Sequence, residues 1–272
     1  MILSIVVFLI IGIHGHNGFK LSMSATLNKR VAIVGATGYI GKFVVKESVR
    51  RGYDTTAIVR QGANTDNAVF KGANIVYGDV TNAAEIKQSI AALKPDVLVS
   101  CLASRSGTKS DSFKIDYEAT LNCLNAAKDA GADQFILLSA FCVRKPLLQF
   151  QLAKLQFEEA LIKSNIKYSI VRPTAFFKSV SGQLELIQQN WPFVMFGDGE
   201  ICQCNPIAES DLATYMLNCV DDPSKWNKVL NIGGPDKGMT MKEQGEMIFD
   251  ILGKEKKFWT APVAIFDAII SE

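Results

Sequence analysis

Histidine is almost missing from this sequence: among 272 residues only His14 and His16 occur, both ahead of the first recognisable strand. Their absence from the body excludes a Ser-His-Asp triad, histidine-ligated zinc and a histidine general base there. Basic runs are lacking too. The 29 Lys/Arg and 27 Asp/Glu leave a net charge of +2, which argues against a nucleic-acid partner. Cysteines are few and scattered: Cys101, Cys123, Cys142, Cys202, Cys204 and Cys219 do not form a disulfide framework in a chain of this size and read as reduced thiols. The C-x-C pair of Cys202 and Cys204 has no further ligands at metal-site spacing, so no metal is expected.

Acids are absent between His14 and Arg30. Ahead of that stretch, residues 1–13 are almost wholly apolar. As a helix they would reach roughly 20 Å, short of the about 30 Å of a bilayer core, which suits a signal-peptide hydrophobic region better than a membrane span. The following segment is basic and hydroxyl-rich (Lys20, Ser22, Ser24, Thr26, Lys29), as transit peptides are. The two together resemble the two-part leaders of algae with secondary plastids, with Phe19 where such leaders favour an aromatic. Residues 1–30 are therefore expected to be a leader outside the fold, and the location a plastid.

The body, at 48% hydrophobic and 21% charged residues in the whole chain, can bury one sizeable core. The short apolar run at 31–34 reads as a buried parallel strand, and 55–59, 75–77, 97–100, 135–139 and 168–172 read as the strands that follow it. Helical patterns occupy 39–51, closed by Gly52, and 117–130, closed by Gly131. This alternation predicts an α/β, Rossmann-type, doubly wound parallel sheet over residues 31–272. After Pro173 the alternation becomes irregular, predicting a small C-terminal, substrate-facing region from 175 to 272.

Between the first strand and first helix stands Gly35-Ala36-Thr37-Gly38-Tyr39-Ile40-Gly41. Gly35 permits the tight turn, Gly38 lets the backbone approach a pyrophosphate, and Gly41 lets the helix pack on the strand. The helix N-terminus offers free N–H groups to the phosphates. A glycine triplet alone is weak; flanked by strand and helix in this order it points to a dinucleotide. The second strand ends Ile58-Val59-Arg60, without the carboxylate that an NAD ribose requires. Arg60 can instead pair a 2′-phosphate, so the expected cofactor is NADPH. Asp79, with Val80, follows the third strand at the adenine. Cys101 follows the fourth, towards the pyrophosphate and nicotinamide ribose.

These spacings resemble the short-chain dehydrogenase/reductase superfamily in its T-G-x-x-G-x-x-G branch. The resemblance implies a serine after the fifth strand and a Tyr-x-x-x-Lys pair on the next helix. Ser139 fills the first place, but the second motif reads Phe150-Gln151-Leu152-Ala153-Lys154. The lysine is present and the phenol is missing. Reduction of a carbonyl needs a proton beside the developing alkoxide, which Phe150 cannot give. Two readings survive: hydride addition to a carbon–carbon double bond, or NADP binding without turnover, as in NmrA-like regulators.

Four further segments favour the first: Lys145–Leu148, Val171–Ser179, Val194–Gly199 and Ile232–Pro235 closely resemble the divinyl chlorophyllide 8-vinyl-reductase family from about Arg30 to Ala268. Members of that family continue well beyond residue 272. The resemblance implies a magnesium tetrapyrrole substrate, an NADPH enzyme of chlorophyll biosynthesis, and peripheral association with thylakoid or envelope membranes. It implies catalytic roles for Lys154 and Ser139, with Lys154 also on the nicotinamide ribose and Pro173 beside the cofactor. Phe150, Phe176, Phe177 and Lys178 are the candidate substrate contacts, and Phe141, Trp191, Phe193 and Phe196 are further aromatics expected near the flat ring. An isoflavone-reductase-like enzyme acting on a phenolic compound is the remaining alternative.

Overall fold

The computed structural model describes residues 29–264 except Asn67; the expected leader up to residue 28 and the last eight residues lie outside the described residues. The chain runs through β1 (Arg30–Val34), α1 (Tyr39–Arg50), β2 (Asp54–Val59), β3 (Asn74–Tyr77), α2 (Ala83–Leu93) and β4 (Val97–Ser100). A short α3 (Lys109–Ser112) continues through a π-helical segment (Phe113–Ala119) into α4 (Thr120–Asp129), followed by β5 (Gln134–Leu138), α5 (Gln149–Lys163) and β6 (Lys167–Pro173). After these come α6 (Phe177–Val180), α7 (Leu184–Gln188), β7 (Phe193–Phe196), β8 (Gln203–Cys204), α8 (Glu209–Asp221) and β9 (Lys228–Ile232). The described chain closes with β10 (Met239–Thr240), α9 (Met241–Leu252) and β11 (Phe258–Ala261).

Seven strands form one parallel sheet in the order β3-β2-β1-β4-β5-β6-β9. The strands are buried on both faces because successive side chains point into different helical layers. Val31 and Ile33 of β1 enter the core shared with α1 and α8, including Val44, Leu212 and Met216. Ala32 and Val34 enter the opposite core, with Ile86 and Ile90 of α2, Leu124 of α4 and Phe157 of α5. That is the doubly wound sheet read from the sequence. Arg30, assigned to the leader, is already part of it: its backbone is in register with Asp54.

The stretch from 175 onward divides. α8 packs on α1, and β9 joins the edge of the main sheet beside β6. The remainder builds a small unit in which β7 and β11 pair in parallel over α9, around Ile187, Phe193 and Phe249. Gly245 on α9 is what lets that unit close: a Cβ there would stand 2.6 Å from the Phe258 ring and 2.8 Å from the Phe193 ring. Strand order reverses between β1 and β4, and the carboxyl ends of these two strands open a crevice where doubly wound sheets bind ligands.

Candidate active site

A cleft of about 800 Å³ fills that crevice, running from Arg60 and Asp79 at one end to Ser139, Lys154 and Phe176 at the other. Its floor is the glycine turn. Gly35 has φ of +72°, and a Cβ on it would lie 2.5 Å from the Cys101 carbonyl oxygen. At Gly41 a Cβ would come within 2.1 Å of the Gly35 carbonyl oxygen, so only glycine lets α1 start this close to β1. The Gly38 N–H donates to Gly35 O at 2.9 Å and closes the turn. α1 has no side-chain cap and no acid in its first turn, leaving N–H groups and the positive end of its dipole facing the cleft. Thr37, Tyr39 and Ile40 complete this wall.

At the end formed by the tips of β2 and β3, Arg60 is exposed and carries no ion pair among the described residues. Asp79 accepts from the Thr81 N–H at 2.9 Å and the Thr81 hydroxyl at 2.8 Å. These bonds, with the charges of Arg60 and Lys114, hold its carboxyl below the usual carboxylate range. Val80 lines the same end. Cys101 lines the middle of the cleft, but burial pushes its thiol up to about 12. It shapes the wall and supplies no nucleophile.

Two buried carboxylates organise the far end. The Lys154 ammonium stands 2.9 Å from Asp116 Oδ1, with side chains only 9% and 0% exposed, and donates to the Leu102 carbonyl oxygen at 3.3 Å. Ser139 directs its hydroxyl to Glu158 Oε1. Glu158 is in turn held by Arg172, whose Nε donates to the same oxygen at 3.1 Å. An ionised carboxylate only accepts, so the single proton of Ser139 is committed to Glu158. What Ser139 offers the cleft is lone pairs.

The other predicted residues are placed less uniformly. Phe150 is half-buried on α5, one turn before Lys154 and outside the cleft's lining. Phe176 lines the cleft; Phe177 is exposed. Lys178 lies 4.6 Å above the Tyr39 ring, so it is brought to the phosphate turn. The Tyr39 phenol donates to Glu209, and its partial burial with that contact raises it to about 12. Pro173 is buried at the end of β6, in register with Ile232. Of the further aromatics, Phe193 belongs to the small C-terminal core, while Trp191 is exposed edge-on to Trp259. Arg105 and Lys114 line the cleft without having been singled out in the sequence, and Asp116 and Glu158, equally unmarked, stand behind its lining as partners of Lys154 and Ser139. Asp116 had a signal: Ser112, Asp116, Ala119 and Cys123 form a buried stripe at helical spacing, and an acid on such a stripe demands a partner.

A family model described as NAD(P)H-binding matches residues 35–223, which takes in the glycine turn, both buried carboxylate pairs and α8. The chain belongs to this NAD(P)H-binding family. Its glycine cradle, uncapped helix N-terminus and open cationic end are features suited to a dinucleotide. Divinyl chlorophyllide a 8-vinyl-reductase, chloroplastic, of Arabidopsis thaliana is 51% identical over 256 residues, covering 88% of this chain and 61% of that protein. The chain thus spans about three-fifths of the length of that curated relative. Isoflavone reductase homolog A622 of Nicotiana tabacum is 28% identical over 255 residues, covering 85% of this chain and 77% of its own length. Among solved structures, the NADPH complex of the Escherichia coli NADPH-dependent quinone oxidoreductase QOR2 superposes with a TM-score of 0.72 at 21% identity, covering 88% of this chain and 81% of that one. At that identity the likeness speaks for the fold.

Proposed function

We propose that this chain uses NADPH to reduce the 8-vinyl group of divinyl chlorophyllide a, or of its protochlorophyllide counterpart, to an ethyl group in a plastid. The observation that carries this is a reacting end stripped of neutral proton donors. Phe150 stands where a phenol would be, and the Ser139 hydroxyl is turned to Glu158. Such an end lacks the phenol that would hand a proton to a carbonyl oxygen, leaving the Lys154 ammonium as its charged donor. It is compatible with a vinyl group on a conjugated macrocycle, over which negative charge spreads. Identity of 51% to the Arabidopsis reductase supports the same substrate class.

When bound, the reduced dinucleotide supplies a hydride. Everything else falls to the chain. The glycine turn and α1 hold the pyrophosphate, Arg60 the 2′-phosphate and Asp79 the adenine. Lys154 holds the nicotinamide ribose hydroxyls and keeps positive charge beside the reacting carbon. Phe176, in the lining of the cleft, offers a face to the flat ring, while Lys178, over the Tyr39 ring, adds positive charge at the glycine turn. Incubating the protein with divinyl chlorophyllide a and NADPH tests this directly: the Soret band is expected to move slightly to the blue as the vinyl group is lost. A stationary Soret band with tight NADPH binding would point to the regulator reading. Turnover of a phenolic isoflavonoid instead would point to the isoflavone-reductase reading.

A further inference from the structure

Asp116 lies in the seven-residue π-helical segment between α3 and α4, and its side chain is completely buried. Enclosing a carboxylate and an ammonium removes both from water at a cost of several kcal/mol per ion, and distorting a helix into π geometry sacrifices regular hydrogen bonding. Both features meet at one contact, the 2.9 Å approach to Lys154. The Thr120 hydroxyl donates to the Ile115 carbonyl at 3.0 Å, so the distortion is locally satisfied. The other Asp116 oxygen accepts from the Ser104 N–H at 3.4 Å, and Lys154 reaches the Leu102 carbonyl two residues earlier. Three elements are therefore tied at a single point: the π segment, α5 and the loop after β4. The 2.9 Å contact of Asp116 Oδ1 with Lys154 is an ion pair, and the Leu102 carbonyl takes a second direction of the ammonium; with three N–H donors in all, Lys154 keeps one for a ligand in the cleft.

We infer that Asp116 is a positioning residue: it anchors the charged Lys154 at the wall of the cleft so that the ammonium meets the nicotinamide ribose of the cofactor. The inference rests on the role proposed above for Lys154, and it needs no particular substrate. Binding is therefore the readout. NADPH and 2′,5′-ADP, which lacks the nicotinamide half, are titrated against the wild type, Asp116→Asn, Lys154→Met and the double variant, with melting temperatures recorded alongside. Asp116→Asn is expected to weaken NADPH by about tenfold and to leave 2′,5′-ADP unchanged. In the Lys154→Met background it should weaken NADPH no further, because the ammonium it positions is gone. The double variant buries no charge at this contact, so it keeps the comparison available if Asp116→Asn alone folds poorly.

Four outcomes overturn the inference. One is wild-type NADPH affinity in Asp116→Asn. Another is an equal loss for 2′,5′-ADP, which marks a general structural role. A third is a further loss of NADPH affinity in the double variant beyond Lys154→Met. The last is wild-type NADPH affinity in Lys154→Met, which removes the role of Lys154 itself and the inference with it. If Lys154→Met weakens NADPH while Asp116→Asn does not, the positioning inference alone fails and the role of Lys154 stands.

Discussion

Arg60 and Phe150 are each defined by what another side chain would have done in their place. A carboxylate at the tip of β2 would repel a 2′-phosphate; the guanidinium there can form a charge-assisted pair with it. Charged hydrogen bonds of this kind contribute about 1.5–3 kcal/mol. Arg60→Ala should therefore weaken NADPH binding by roughly 10- to 100-fold and leave NADH nearly unaffected, as measured by fluorescence titration of both nucleotides. At Phe150 the loss of a phenol was visible in the sequence. The matching loss at Ser139 was not, because no pattern of residue types announces that a hydroxyl proton points to Glu158 nineteen positions away.

Elements differ in how openly they declare themselves. β1, β4 and β5 carry the apolar runs 31–34, 97–99 and 135–138, as strands sandwiched between two helical layers do, whereas β2 opens with the buried Thr55 and Thr56 before its apolar end. β9 is Lys-Val-Leu-Asn-Ile on the sheet edge, partly exposed and short, so its run carried no comparable signal. α8 belongs to the first core although it follows the irregular stretch, and its attachment to α1 is polar as well as apolar. Arg51 donates to Glu47 at 2.8 Å and, across the interface, to the Thr214 carbonyl at 2.9 Å and to Asn218 at 2.8 Å. Glu47 accepts from Arg50 as well, and these guanidinium groups lower its carboxyl to about 2. A depressed carboxyl stabilises the fold at pH values above its unfolded pKa, and that contribution fades as pH falls through the range between the unfolded and folded values. Glu47→Gln should accordingly lower the stability by on the order of 2 kcal/mol at neutral pH. The gap in melting temperature from the wild type should narrow between pH 4.5 and about 2. A gap that stays constant over that window would show that the charge of Glu47 does not contribute to stability through Arg50 and Arg51.

Across the whole molecule, one physical arrangement links sequence to chemistry. The doubly wound sheet puts the glycine turn, the tip of β2 and the start of α5 around one crevice, though they lie far apart in the chain. This much of the site was legible because dinucleotide binding uses backbone geometry, and backbone geometry dictates glycine. The supports of the reacting groups, Asp116 and Glu158, arise from tertiary packing between α5, the π segment and β6, and local sequence leaves only faint traces of it. The result is a cleft suited to a phosphorylated dinucleotide, with a reacting end that has an ammonium but no phenol. The most direct measurement combines NADPH deuterated at the transferable position with divinyl chlorophyllide a in ordinary water, followed by mass spectrometry of the pigment. One deuterium in the new ethyl group, with the second hydrogen drawn from solvent, is the predicted result. Pigment recovered with its vinyl group intact, or an ethyl group without deuterium, would contradict it.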